Sequence, residues 1–456
     1  MNTKFFAALA AALATCVAAC ATTNETSVAN GGLDAAATHF ASTQPQLLQP
    51  FFRTLYIEGE HNAVLNFDYL GLAALETGHY GIASRAFDAA ITRINAIYAD
   101  NPSAEKAKSV FAAEKVKDFK GEPYERAMTY FYRGLLYARV GDYENARASF
   151  LSAEEQSMMS ERESYADTFG LMDFLAGWAS HCDGDDARAD QFGARASKVQ
   201  PTPFASLSDR VSYVGLADVG RGPVKYAAGK YQQELAFRPA MPGPIPAASI
   251  TASNAIVGPT YLGANIDYQA MTRGGRPVDA ILNGKAVWKR STATAANALA
   301  GAGEVATIEG VLNNNSSLEM GGELSMAAGL VSGLFSRAMT AKADTREWAS
   351  LPAGIEVATG QLEGTVLPVI AVSSESGGSS STIPLNVRAG NCAFSWTKVP
   401  SLLNLAASQM SSPRADEAQH RAENAALRSF LQTTFPGAPS QPAQAAQESS
   451  SAERQR

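Results

Sequence analysis

The sequence predicts an α+β fold made of two unlike halves: an all-α helical array over 32–204, then an α+β domain with a mainly antiparallel sheet over 205–400. Three observations predict it. One spacing of small residues and an aromatic recurs three times in the first half. Runs of β-branched residues bounded by Pro and Gly begin only after about Ala205. The 456 residues are 46% apolar and 18% charged, which suits two or three packed domains and not a disordered chain. A formal charge of −7 is the wrong sign for a polyanion-binding surface, so no nucleic-acid partner is expected.

Residues 1–19 read as a secretory signal: Lys4, an apolar stretch from Phe5 to Val17, then small residues. The end Val17-Ala18-Ala19-Cys20 resembles the bacterial lipobox, which implies cleavage before Cys20 and acylation there. Each buried methylene is worth about 0.8 kcal/mol, so several acyl chains hold a protein on a membrane. Ala21, where an inner-membrane lipoprotein has Asp, implies the outer membrane, with the protein on its periplasmic face. Residues 20–31 form the lipidated tether. Loss of Lys4 with the signal takes the charge from −7 to −8. Cys16 leaves with the signal, and Cys182 and Cys392 remain beside the anchor; an oxidising compartment permits their pairing, but their spacing does not demand it.

In the helical half, Gly71, Gly78, Ala83, Phe87 and Ala90 lie 7, 5, 4 and 3 residues apart. Gly134, Gly141, Ala146, Phe150 and Ala153 repeat the spacing, and Gly177, Gly184, Ala189, Gly193 and Ala196 repeat it with Gly193 in place of the aromatic. The first small residue lets two antiparallel helices approach, the second ends the first helix, and the rest fill the seam. The pattern resembles the tetratricopeptide (TPR) repeat, so the array is expected to be TPR-like. The starts lie 63 and 43 residues apart instead of about 34, so the array carries an insertion near 100–125. That insertion leads into Phe119-Lys120-Gly121-Glu122-Pro123-Tyr124-Glu125-Arg126. Pro123 with Glu122 and Glu125 suits a capped helix start; a partner-binding cluster of Glu122, Tyr124, Arg126 and Arg133 is the second reading. The concave face of such an array would offer Asp68, Leu72 and Glu76, then Phe131, Leu135 and Arg139, then Phe174, Trp178 and His181. Aromatic groups beside an arginine suit a binding hot spot, or equally a core against a neighbouring domain.

In the second half, strands are expected at Val211–Val214, from Ile245 onward, at Ile355–Val357, Val366–Val372 and Ile383–Val387. Helix-compatible sequence covers Val278–Leu312 and Leu324–Lys342. The run Leu324–Met339, with Gly329 and Gly333 and Arg337 as its one charge, is too short for a span of about 20 residues and reads as a buried helix.

Four peptides occur in order: the lipobox, Phe119–Arg126 with Tyr130-Phe131-Tyr132-Arg133-Gly134, Gly220-Arg221-Gly222-Pro223-Val224-Lys225, and Ala343-Asp344-Thr345-Arg346-Glu347-Trp348-Ala349-Ser350-Leu351-Pro352. As an ordered set over residues 35–375 they resemble an uncharacterised family of bacterial outer-membrane lipoproteins with tetratricopeptide repeats. The resemblance implies a periplasm-facing protein and brings no catalytic residues. Asp344 and Arg346 beside Trp348 read either as a structural clasp with the guanidinium stacked on the indole or as a ligand site.

No histidine lies between His181 and His420, which removes histidine-dependent catalysis from the second half. The chain has no G-x-S-x-G, phosphate-loop or H-E-x-x-H motif. His181-Cys182-Asp183 lacks paired metal ligands. No catalytic residue, metal or cofactor is therefore expected. Over 401–456 an amphipathic helix, Ala415–Leu431, precedes a Pro-, Gln- and Ser-rich tail. The expected function is a scaffold binding unidentified envelope proteins in envelope assembly or maintenance, through Phe131, Leu135, Arg139, Phe174, Trp178, Glu122, Tyr124 and Arg126. The alternatives are a carboxylate-dependent enzyme on envelope polymers, or a sensor of small ligands or peptidoglycan fragments.

Overall fold

Glycine decides how closely the helices of the first half approach. The computed structural model describes residues 32–98, 118–158, 169–229, 234–272, 343–374, 385–409 and 420–437. Six helices form three helix–turn–helix pairs: α1 (Ala63–Glu76) with α2 (Tyr80–Tyr98), α3 (Pro123–Arg139) with α4 (Tyr143–Met158), and α5 (Gly170–Cys182) with α6 (Asp186–Val199). A Cβ on Gly71 would lie 2.7 Å from the Phe87 ring, and one on Gly134 2.5 Å from the Phe150 ring, so each glycine is the socket for the aromatic of its partner helix. The turns use Gly78, Gly141 and Gly184 at φ of 76°, 78° and 86°, the left-handed region that glycine enters at little cost.

The main sheet, among the described residues, has the strand order β5-β7-β1-β10-β9, with β6 also paired to β7. Its strands are β1 (Tyr213–Val219), β5 (Ala255–Val257), β6 (Tyr261–Asn265), β7 (Gly354–Leu362), β9 (Leu385–Ala389) and β10 (Cys392–Val399). It is mostly antiparallel, with one parallel pair, β1 with β10. Two ribbons accompany it: β2 (Val224–Ala228) with β3 (Glu234–Arg238), and β4 (Ala248–Ser253) with β8 (Val369–Ser374). The chain is α+β, with a helical N-terminal region.

Strands β1 and β10 are buried along their whole length. Period-two alternation sends Phe394 and Trp396 toward the helices, where Phe394 meets Trp178 and Trp396 meets Tyr132, both edge-on at 5.9 and 6.0 Å. On the other face Ala217 and Val219 pack with Ala248, Ile250, Ala358 and Ile370. The compositional shift near Ala205 is thus a change from helix to strand inside one compact unit, His61–Ser412.

A second unit joins the two ends of the chain, Met1–Glu60 with Pro413–Arg456. Its described part contains helices over 32–42, Gln49–Glu58 and Arg421–Thr434. Phe52 packs edge-on to Phe435 at 5.3 Å, and Gln44 Nε2 donates to the Phe435 carbonyl at 3.0 Å. Of the expected helix Ala415–Leu431, the described part is the helix Arg421–Thr434, which ends later than expected, and its buried Leu427 and Leu431 are the apolar stripe that amphipathicity marked.

The expected strands are present in the main, with shifted ends; Val211–Val214, for example, is the start of the longer β1. Strand β10 was not expected, because Ser395, Thr397 and Lys398 interrupt its apolar residues and yet are all buried. The lipobox, the Pro/Gln/Ser-rich tail beyond 437 and the helical readings of Val278–Leu312 and Leu324–Lys342 lie outside the described residues. Among the described residues no helix is long and apolar enough to cross a membrane.

Candidate functional site

Three of the peptides singled out in the sequence meet at one buried point. Glu125, in the first turn of α3, accepts the Glu122 backbone N–H at 2.7 Å as half of a capping box. The same carboxylate accepts the Trp348 N–H at 2.9 Å and Lys225 Nζ at 2.6 Å. Lys225 also donates from Nζ to the Arg346 carbonyl at 2.8 Å and from its backbone N–H to Glu347 Oε2 at 2.6 Å. Arg346 pairs with Asp344 at 2.6 Å and donates to Asn62 Oδ1 at 2.7 Å, and its Nη1 lies 3.0 Å from His61 Nε2.

Burial pushes the Glu125 carboxyl up, opposed by Lys225. Burial acts the same way on Asp344, but the adjacent Arg346 outweighs it and holds that carboxyl below its ordinary range. The side chains of Lys225 and Glu125 are each 1% exposed, so nothing in solution reaches them. The arrangement is a clasp, as one reading of Asp344 and Arg346 expected, with one correction. Arg346 lies over the Phe119 ring at 5.4 Å, not over the indole, because Trp348 is occupied edge-on with Tyr132 at 5.8 Å.

The expected partner-binding residues divide sharply. Glu122 caps α3; Tyr124 is buried edge-on to Phe237 at 6.0 Å; Arg126 donates to Gln156 Oε1 and the Gly121 carbonyl, each at 2.7 Å. This is the capped helix start, not a cluster presented to solvent. Phe131, Leu135, Phe174 and Trp178 are each at most 1% exposed. Phe131 packs against Phe150, Phe174 against Phe204 at 5.4 Å, and Trp178 against Phe394. The expectation of an open concave groove is corrected here: all four are buried, Phe131 and Phe174 against other helical aromatics and Trp178 against Phe394 of β10. Asp68 accepts from Thr129 at 2.9 Å within the same interior.

Arg139 alone of the eight lies at the surface, half-buried. Its guanidinium sits over the Tyr80 ring at 4.3 Å and pairs with no carboxylate among the described residues. With Tyr80, Val140, Leu367, Leu385, Asn386 and Val387 it lines a cleft of about 520 Å³. Val140 and Leu367 are 65% and 38% exposed, and among the described residues β9 is an edge strand, bonded on one side only, to β10. Arginine over an aromatic, exposed apolar groups and an unpaired strand edge can bind an extended acidic peptide. The sequence marked Arg139 and a strand at Ile383–Val387, but not that this strand lies at an edge, which depends on its pairing with β10.

Cys182, at the end of α5, forms a disulfide with Cys392, the first residue of β10, at a Cα–Cα distance of 5.7 Å. His181 Nδ1 lies 2.6 Å from Asp186 Oδ1 on the neighbouring helix. Compared with family models, with curated proteins and with solved structures, the chain matches none.

Proposed function

We propose that the protein is an acyl-anchored scaffold on the periplasmic face of the outer membrane, holding an envelope protein through the Arg139 cleft. The helix pairs are read as a TPR-like array whose inner face is given over to the sheet and whose edge retains the recognition surface. The Gly71–Phe87 and Gly134–Phe150 sockets support the TPR-like reading. The Cys182–Cys392 disulfide supports an exported protein, because such bonds persist in oxidising compartments. The observation that carries the binding role is Arg139: a cation with no carboxylate partner among the described residues, set between exposed apolar side chains and an edge strand. Its occupant is an extended segment of an envelope protein bearing an acidic side chain, which supplies the counter-charge and adds main-chain bonds to β9. Acyl anchoring at Cys20 raises the effective concentration of the site at the membrane.

Capture from solubilised envelopes tests this reading. Arg139→Glu is expected to lower partner recovery about tenfold or more through like-charge repulsion, while Arg188→Glu on an exposed surface leaves it unchanged. Equal recovery with both would overturn the cleft. Cys20→Ser is expected to release the protein into the soluble periplasm, and retention in the membrane fraction would overturn the anchor.

A further inference from the structure

Strands β1 and β10 come from opposite ends of the sheet sequence but run side by side in parallel, with Asp218 directly opposite Lys398. Side chains opposite one another in a ladder share a face. Here that face is the helix–sheet interior: both side chains are 0% exposed, and Lys398 Nζ lies 4.0 Å from Asp218 Oδ2. Tyr132 on α3 donates its hydroxyl to that same Oδ2 at 2.6 Å. Glu76, at the end of α1, accepts from Ser401 Oγ at 2.9 Å, and its charge acts on both members of the pair.

We propose that Lys398 and Asp218 condense within the folded chain to an amide, a covalent bond joining β1 to β10. Burial favours the reacting forms: it lowers the Lys398 amine and raises the Asp218 carboxyl, against the mutual attraction of the two charges. Proton transfer inside the pair then gives a neutral amine beside a carboxylic acid. The Nζ lone pair attacks Cγ, and the Tyr132 hydroxyl, already bonded to the carboxyl oxygen, stabilises the oxyanion that forms. The Nζ proton passes to the departing hydroxyl, which leaves as water. One C–N bond forms, one C–O bond breaks, and one water leaves; no oxidant or nucleotide is needed.

Two terms drive the reaction. Register holds the reactants side by side, which makes the condensation intramolecular and removes the entropy cost of bringing two molecules together. The product also replaces two ions, each costing several kcal/mol inside a protein, by one neutral amide. The bond would close the same sheet that Cys182–Cys392 ties to α5, but reduction would not open it.

The test is a mass measurement on the full chain, purified from envelopes, reduced and denatured. Wild type is expected to be lighter by one water than its processed, acylated sequence, with fragmentation locating the loss to a branched peptide containing Lys398 and Asp218. Lys398→Arg and Asp218→Ala are each expected to abolish the branched peptide and to give the unlinked mass. Wild-type protein at the unlinked mass would overturn the proposal without reference to any variant. So would a water loss that maps to another peptide or persists in Lys398→Arg.

Discussion

Along α3, Phe131, Tyr132 and Leu135 lead within two turns to Arg139, so one helix carries both the covered interior and the open cleft. The first three are sealed by Trp396, Phe150 and their neighbours, whereas Arg139 faces Tyr80 and an edge strand. What separates them is the surface opposite: β10 sets Trp396 against Tyr132, whereas the cleft at Arg139 is lined by Leu385, Asn386 and Val387 of β9. A row of aromatics beside an arginine is therefore no sign of a binding face until the surface opposite is known. Burial converts the row into fold stability, and the proposed binding role falls on the residue left at its margin.

Variants of the covered side should cost stability, and variants of the open side should cost binding alone. The largest loss is expected from Lys225→Met, which strands Glu125 as a buried charge and should lower stability by about 3–5 kcal/mol, read from the denaturant midpoint. A shift below about 1 kcal/mol would mean that the clasp is solvated. Replacing Cys182 and Cys392 together by Ser should cost about 2–5 kcal/mol, and wild type treated with a reductant should match it.

Gly134→Ala places a methyl against the Phe150 ring and should cost about 1–3 kcal/mol, partly recovered by adding Phe150→Leu. Full stability of the single variant would refute the socket. Glu356 has its carboxyl raised by burial to about 7 from an ordinary 4.5. Between those values the folded chain holds a proton that the unfolded chain has released, so stability should fall as pH rises across that window. Glu356→Gln should flatten that part of the profile. Smallest of all, Arg139→Ala should leave stability within about 0.5 kcal/mol of wild type.

Local geometry was legible in the sequence wherever it depends on neighbours along the chain. Gly71, Gly134 and the turn glycines announced the helix pairs, and Glu122-Pro123 with Glu125 announced the helix start. Long-range partnerships were not legible. Trp178 does not disclose Phe394 as its partner, and Lys398 looks like a surface residue until Asp218 is placed opposite it. Cys182 and Cys392 similarly required the fold before their pairing could be seen. Of the candidate site, Arg139 was visible and the cleft was not, since Leu385, Asn386 and Val387 arrive through sheet pairing.

The most direct test of recognition at the cleft is photo-crosslinking in intact cells. A photoreactive side chain replaces Val140, 65% exposed in the cleft, or Ala187, exposed on α6. A light-dependent adduct with an envelope protein is expected from position 140, none from position 187, and loss of the first when Arg139→Glu is added. No adduct at 140, or equal adducts from both positions that survive Arg139→Glu, would contradict recognition at the cleft.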